Sequence, residues 1–182
     1  LKTGITTSFP ADVSEKGQVV LNSKLFGDII RKMPGDFITI SVEQSYKTKI
    51  KGGASEFEII ATPADDYPEL PGIDSSSSIS LPQKSLKNMI SQTCFAVSDN
   101  EARPIHTGAL FEIENGSLTM VAVDGYRLAL RKEEIGKTTS DYSFVVPGTA
   151  LNEVEKILSD SDDAVTVSLG SKHVMFMIDS TM

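Results

Sequence analysis

One pattern recurs along the chain at an offset of about 126 residues, and it limits the fold more than any other feature. Val19-Val20-Leu21 leads into a helical pattern and then into Ile38-Thr39-Ile40-Ser41-Val42. Val145-Val146-Pro147 leads into a helical pattern and then into Val165-Thr166-Val167-Ser168-Leu169. Phe26, Ile29 and Met33 fill the i, i+3 and i+7 positions that Leu151, Val154 and Leu158 fill in the second copy. The order strand, helix, alternating strand, second strand therefore occurs twice, over residues 19–51 and 145–178. In 182 residues such a period fits about one and a half times. The first copy is expected to lack its front half. The second is expected to break off just after a strand, at Asp179-Ser180-Thr181-Met182. That reads as a piece of a longer protein.

The boundary between copies is expected within Thr62–Ser78. This stretch carries Pro63, Pro68, Pro71, Gly72 and the serines 75–78, which block a helix or a central strand. Repeat arithmetic favours a linker, with one domain over residues 1–75 and a second, truncated at its end, over 76–182. The other reading is a long surface loop within one domain.

Three helices stand out. Asn22–Met33 has Asn22 or Ser23 as N-cap, apolar Leu25, Phe26, Ile29, Ile30 and Met33, and Pro34-Gly35 as its stop. Pro82–Val97 opens on a proline with Ser80 just upstream, and Leu86, Met89, Ile90, Thr93 and Val97 form one apolar face. Pro147–Leu158 opens the same way, with Leu151, Val154, Ile157 and Leu158 as its stripe. Phe37–Val42, Phe57–Ile60 and Val165–Leu169 read as strands. Residues 109–113, the Asn115-Gly116 turn and residues 118–123 read as a hairpin. Asp124-Gly125 and an alternating Tyr126–Arg131 extend it to a three-stranded meander. Few helices among many paired strands predict an α+β fold, with helices packed on one face of antiparallel sheets.

The chemistry of catalysis is thin. GxSxG, Walker, GxGxxG and HExxH patterns are absent. Gly52-Gly53 reads as a turn. Asp65-Asp66 and the group Asp160, Asp162 and Asp163 have the chemistry to hold a hard cation, or are solvated turns; the second group lacks the spacing of a calcium loop. A single cysteine, Cys94, and two histidines, His106 and His173, leave little for a zinc site or a disulfide framework and suit a reducing compartment. No run of 18 apolar residues and no basic-then-apolar leader is present. The reading is a non-enzymatic protein with no cofactor, no metal and no membrane span.

Seventeen Lys and Arg against 25 Asp and Glu give a net charge of -8, which argues against gripping nucleic acid by bulk charge. The charges are not evenly spread. Lys24, Asp28, Arg31 and Lys32 lie opposite the first apolar stripe, and Lys84, Lys87, Asn88 and Ser91 share a face of the second helix. On the third, Lys156 sits among Glu153 and Glu155. The first two helices are thus net basic in an acidic chain. Such faces are either ordinary solvated surface or a lining that meets a phosphate backbone without reading bases.

Val121-Ala122-Val123-Asp124-Gly125-Tyr126-Arg127-Leu128-Ala129 resembles the signature of the bacterial sliding clamp, the beta subunit of DNA polymerase III. Gly108-Ala109-Leu110-Phe111-Glu112 resembles that family's G-x-L-F-E strand. Asp65-Asp66-Tyr67-Pro68-Glu69-Leu70-Pro71 is similar to its segment between the first and second domains, and Leu81-Pro82-Gln83 before a helix also fits. The likeness covers essentially the whole chain, in order: the back part of a first clamp domain and most of a second.

The resemblance implies tandem clamp domains of the DNA clamp fold in a homodimeric ring that encircles double-stranded DNA without sequence specificity. It implies a processivity factor in the cytoplasm, a non-catalytic subunit of the DNA polymerase III holoenzyme. Lys24, Arg31, Lys32, Lys84, Lys87 and Arg103 become the expected DNA-facing residues. Pro104-Ile105 stand where the family often has aromatics. It also implies a hydrophobic pocket that takes short linear peptides from the polymerase catalytic subunit and the clamp loader. Its wall in this chain is His106, Val123, Gly125, Tyr126, Arg127 and Leu128. The family commonly has Leu or a similar residue at the position of His106. Two rivals stand beside this reading: a β-rich protein-interaction module without a DNA role, and a hydrolase or transferase built on Asp124 and Tyr126.

Overall fold

Asn22 starts the first helix. Its backbone is extended (φ -65°, ψ 114°) and its side chain accepts a hydrogen bond from the Leu25 N–H at 3.0 Å, which settles the capping choice against Ser23. The protein is described from a computed structural model that covers residues 3–65, 67–70, 72, 77–136, 141–170 and 172–182. It divides into two compact units, one of residues 11–69 and one of residues 3–10 with 70–182. The linker expected around Ser75 lies outside the described residues, as do Asp66 and Pro71.

In the smaller unit, α1 (Ser23–Lys32) ends with Arg31 and Lys32 in its last turn, where cations suit the helix dipole. Pro34 and Gly35 (φ 89°) follow. Three antiparallel strands come next: β1 (Thr39–Val42), β2 (Lys47–Gly52) and β3 (Ser55–Ile60), in the order β1-β2-β3. Ile50 at the centre of β2 is wholly buried, and Ile29 of α1 and Ala61 are buried too. The alternation within Lys47–Gly52 puts Lys47, Lys49 and Lys51 outward, each paired across the sheet. Lys47 meets Glu58 at 2.7 Å, Lys49 meets Glu43 at 2.7 Å, and Lys51 meets Glu56 at 3.1 Å. The expected strand from Phe37 begins two residues later, at Thr39, and Phe37 itself is 88% exposed.

The larger unit has β4 (Ser78–Pro82), α2 (Gln83–Thr93), β5 (Gly108–Glu114), β6 (Ser117–Val123), β7 (Leu128–Glu134), β8 (Tyr142–Pro147), α3 (Gly148–Ile157), β9 (Ala164–Leu169) and β10 (Val174–Ile178). One sheet runs β7-β6-β5-β8 and the other β10-β9-β4, all antiparallel. Leu86, Met89 and Ile90 of α2 are completely buried together with Phe111, Leu118, Met120, Leu151, Val165 and Val167. Phe111 and Phe144 stack across β5 and β8 with centroids 5.2 Å apart. Strand, helix, strand, strand recurs in the two units in the same order, from Ser23, Thr39 and Lys47 to Gly148, Ala164 and Val174. In the first copy the opening strand is reduced to one bridge, Val20 with Thr62.

Both proline-led helices start later than their sequence suggests. Pro82 and Pro147 keep extended backbones (ψ 138° and 135°) and close β4 and β8, pairing with Ala164 and Gly108. The reason is tertiary: the ladder partners hold each proline in the strand, and helix begins one residue on. Ser80 does not cap α2. The Asp163 and Ser161 carbonyls accept from the Gln83 and Lys84 N–H groups at 2.8 and 3.0 Å, so the α3–β9 connection satisfies the orphan donors. After Thr93 the chain tightens into a 3-10 turn, Cys94–Ala96, and does not continue as α-helix to Val97.

Candidate functional site

The meander builds its first turn as the sequence suggests. Asn115 (φ 52°) and Gly116 (φ 79°) both adopt positive φ between β5 and β6, the geometry of a two-residue hairpin. The second turn is wider. β6 ends at Val123 and β7 starts at Leu128, not at Tyr126, because the Asp124 side chain draws two backbone donors into the turn. Its Oδ1 accepts from the Tyr126 N–H at 2.9 Å and the Arg127 N–H at 3.1 Å. Gly125 turns the corner at φ 95°, where an L side chain is strained although space is open.

Val123 and Leu128 are directly paired across this turn. Inward positions of the meander carry Ala109, Phe111, Leu118, Met120, Ala122 and Ala129, all buried. Val123 and Leu128 fall on the opposite, outward side, and Leu128 is 64% exposed. They are therefore not core residues. Tyr126 projects fully into solvent. His106 is half-buried in a 3-10 turn, Pro104–Thr107, that runs straight into β5, and its carbonyl accepts from the Ser98 N–H at 2.8 Å. The β5–β6 register pairs Leu110 with Val121 and runs back toward Gly108 and Val123, so His106 approaches the same sheet end.

Arg127 is held rather than free. Its Nε donates to Asp124 Oδ2 at 2.7 Å, and its guanidinium lies over the Phe95 ring, 5.8 Å from the centroid. The hydrogen bonds that Asp124 accepts, that from Tyr126 foremost, hold its carboxyl below the usual range. Phe95, 59% exposed, is the residue the sequence reading missed. It stood inside the expected Pro82–Val97 helix, off the apolar face. Its only signal was an aromatic on a polar face, and the 3-10 turn is what packs that segment against β6 and β7.

The basic helix residues fall into paired and unpaired sets. Arg31 meets Asp28 at 2.5 Å within α1, and Lys87 of α2 meets Asp160 at 3.2 Å. Lys24, Lys32, Lys84 and Arg103 are exposed, and among the described residues no carboxylate lies within 4 Å of them. On α3 Lys156 is paired with Glu153 at 2.7 Å. In the smaller unit Lys24 and Lys32 of α1 and Lys16 have no carboxylate partner among the described residues, while the lysines of β2 are matched by glutamates. Lys24, Arg31 and Lys32 stand in one unit, and Lys84, Lys87 and Arg103 in the other.

The remaining candidates have other duties. Asp160 pairs with Lys87 and Asp163 accepts from Ser161 Oγ at 2.8 Å. Among the described residues no group of three His, Cys, Asp or Glu is placed to hold a metal ion. Burial pushes the Cys94 thiol up to about 11, so it is protonated at neutral pH and a poor nucleophile. Among the described residues no helix is long and apolar enough to cross a membrane.

Two family models match this chain. One, described as the DNA polymerase III beta subunit, central domain, covers residues 80–182; the other, the N-terminal domain of the same subunit, covers residues 2–71. A protein named beta sliding clamp from Halalkalibacterium halodurans is 39% identical over 170 residues, which is 92% of this chain and 45% of that protein. The one from Staphylococcus epidermidis is 39% identical over 167 residues, 92% of this chain and 44% of that protein. Among solved structures, the DNA polymerase sliding clamp of Bacillus subtilis matches with a TM-score of 0.91 at 35% identity, over 97% of this chain and 49% of that one. The clamp of Pseudomonas aeruginosa matches with a TM-score of 0.89 at 28% identity, over 97% and 49%. The chain thus spans about half the length of the relatives it matches.

Proposed function

The chain belongs to the DNA polymerase III beta subunit family, and on that premise we propose that it forms part of a homodimeric sliding clamp. This ring encircles duplex DNA in the cytoplasm and tethers the replicative polymerase and the clamp loader through short peptides. It has no catalytic centre of its own. The matched segments 2–71 and 80–182 support a first clamp domain over residues 1–75 and a second over 76–182, with residues 3–10 grouped in the larger compact unit. The observation that carries the DNA role is the set of unpaired cations on the helices. Unpaired Lys24, Lys32 and Lys84 stand on helices in a chain of net charge -8, while the lysines of the β2 face are matched by glutamates. Scattered cations on smooth helix faces meet phosphates without base contacts, so nothing specific has to break at each sliding step.

Peptide binding rests on the sheet end at Asp124–Leu128. Val123 and Leu128 offer adjoining apolar surface, and Arg127 offers donors for a carbonyl or carboxylate. Burying one Leu or Phe anchor there contributes roughly 1.5–3 kcal/mol, which suits a partner that must be exchanged. In the full-length protein, Leu128→Ala or Val123→Asp is expected to weaken a polymerase-derived peptide at least tenfold, about 1.4 kcal/mol. The DNA role is tested by retention. The full-length protein, once loaded, stays on a nicked circle and leaves when the circle is cut. Equal loss from both forms overturns the clamp reading and leaves a β-rich interaction module.

A further inference from the structure

An arginine guanidinium carries four N–H donors on its two Nη atoms and one more on Nε, all in a rigid plane. In Arg127 the Nε donor is already committed to Asp124 Oδ2 at 2.7 Å. The planar group lies over Phe95 at 5.8 Å. These two contacts hold a side chain that otherwise loses rotamer entropy when a ligand immobilises it. The Nη groups remain available. Asp124 contributes more than charge. Its side chain is only 16% exposed, and Oδ1 is occupied by the two backbone N–H groups of the turn. One carboxylate oxygen therefore shapes the turn and the other aims the arginine.

We propose that Asp124 and Phe95 are positioning residues. They hold the Arg127 guanidinium in advance as an acceptor-binding site for a backbone carbonyl or carboxylate of a bound peptide, beside the apolar surface of Val123 and Leu128. The proposal rests on the peptide-binding reading above. Neither residue need touch the peptide; their effect passes through Arg127, by removing part of the ordering cost of binding.

Asp124→Asn separates the two duties of the carboxylate. An asparagine keeps an Oδ1 acceptor for Tyr126 and Arg127 N–H, so the turn survives, but it presents an amide N–H₂ to Nε, which repels that donor. Phe95→Leu keeps an apolar shelf without the π face and lies outside the turn. The test measures binding of a synthetic pentapeptide ending in Leu-Phe to the full-length protein by calorimetry, with melting temperature recorded for each variant.

Asp124→Asn is expected to weaken binding about fivefold to tenfold and Phe95→Leu about threefold, with melting temperatures near that of the parent. In an Arg127→Ala background neither change should weaken binding further, which a general loosening of the fold would not produce. An Asp124→Asn affinity equal to the parent's overturns the proposal while Leu128→Ala still upholds the pocket. Equal losses with and without Arg127 overturn it as well. A parent protein that does not bind the peptide at all overturns both the pocket and this refinement of it. Should Asp124→Asn fail to fold, Phe95→Leu and its combination with Arg127→Ala decide the matter alone.

Discussion

Gln83 Oε1 accepts two hydrogen bonds from Ser159, one from its N–H at 3.0 Å and one from its hydroxyl at 2.9 Å. The two residues are 76 positions apart, and the Gln83 side chain is almost wholly buried. This contact, with the Asp163 and Ser161 carbonyls, locks the α3–β9 connection over the first turn of α2. Removing the side chain forfeits both hydrogen bonds, about 0.5–1.5 kcal/mol each, offset in part because Gln83 Nε2 is itself buried without a partner among the described residues. Gln83→Ala is therefore expected to lower the urea midpoint clearly. Ser159→Ala keeps the N–H bond and should cost less. Equal midpoints for Gln83→Ala and the parent would remove the lock.

Gly108 sits where backbone meets backbone. A Cβ there would lie 2.4 Å from the Val146 carbonyl oxygen, in the β5–β8 ladder. Neither atom belongs to a flexible side-chain tip, so the strands must part. Gly108→Ala is expected to destabilise the protein by more than about 2 kcal/mol. Gly125→Ala meets no atom within 4 Å, and its penalty comes only from φ 95°. It should cost less, about 1–2 kcal/mol. Thermal unfolding of the two variants checks the order.

DNA contact should depend on which lysines are already paired. Lys84 is unpaired, whereas Lys87 is held by Asp160 at 3.2 Å. In the full-length protein Lys84→Ala is expected to lower the slope of log affinity against log salt by about 1. Lys87→Ala should lower it by less, and Asp160→Asn should raise it. Identical slopes for all three variants would count against a phosphate-facing role for α2.

Asp124 and Glu43 carry carboxyls held below their ordinary values, Asp124 chiefly by the Tyr126 N–H and Glu43 chiefly by its hydrogen bond from Lys49. A group whose pKa is depressed by folding adds stability above its unfolded value and loses it as pH falls through the folded value. Both contributions are therefore complete above about pH 5. They decline below the ordinary 3.8 of Asp124 and 4.5 of Glu43. An NMR titration of carboxyl carbons should place both midpoints below those values. A midpoint for Asp124 at or above 3.8 would show that the turn hydrogen bonds are not formed in solution.

Much of the fold was legible because its signals are local. Asn115-Gly116 encodes a turn by tolerance of positive φ, and Asn22 encodes a helix start by one side-chain acceptor. The alternation through residues 109–123 marks which side chains face the helix. The repeated order of elements needs only periodicity and turn residues to be seen. β2 was harder, because its outward positions are three lysines whose place in a sheet depends on glutamates from other segments.

The starts of α2 and α3 were misplaced because Pro82 and Pro147 are acceptable both at a helix start and at a strand end. Their ladder partners, Ala164 and Gly108, decide between the two. The family motif identified Val123, Gly125, Tyr126, Arg127 and Leu128 as a group. No spacing could reveal that Leu128 faces out, that Asp124 holds Arg127, or that Phe95 lies beneath it.

By itself the sequence determined the α+β class, the repeated unit, the hairpin and its turns, and the basic helix faces. Each depends on side-chain period or on the conformational range of one residue. Only the tertiary structure decided which cations are already neutralised, which apolar residues lie outward and which aromatic shelves Arg127. Those relationships join residues tens of positions apart. They are set by strand register and packing, where a shift of one position reverses every side chain.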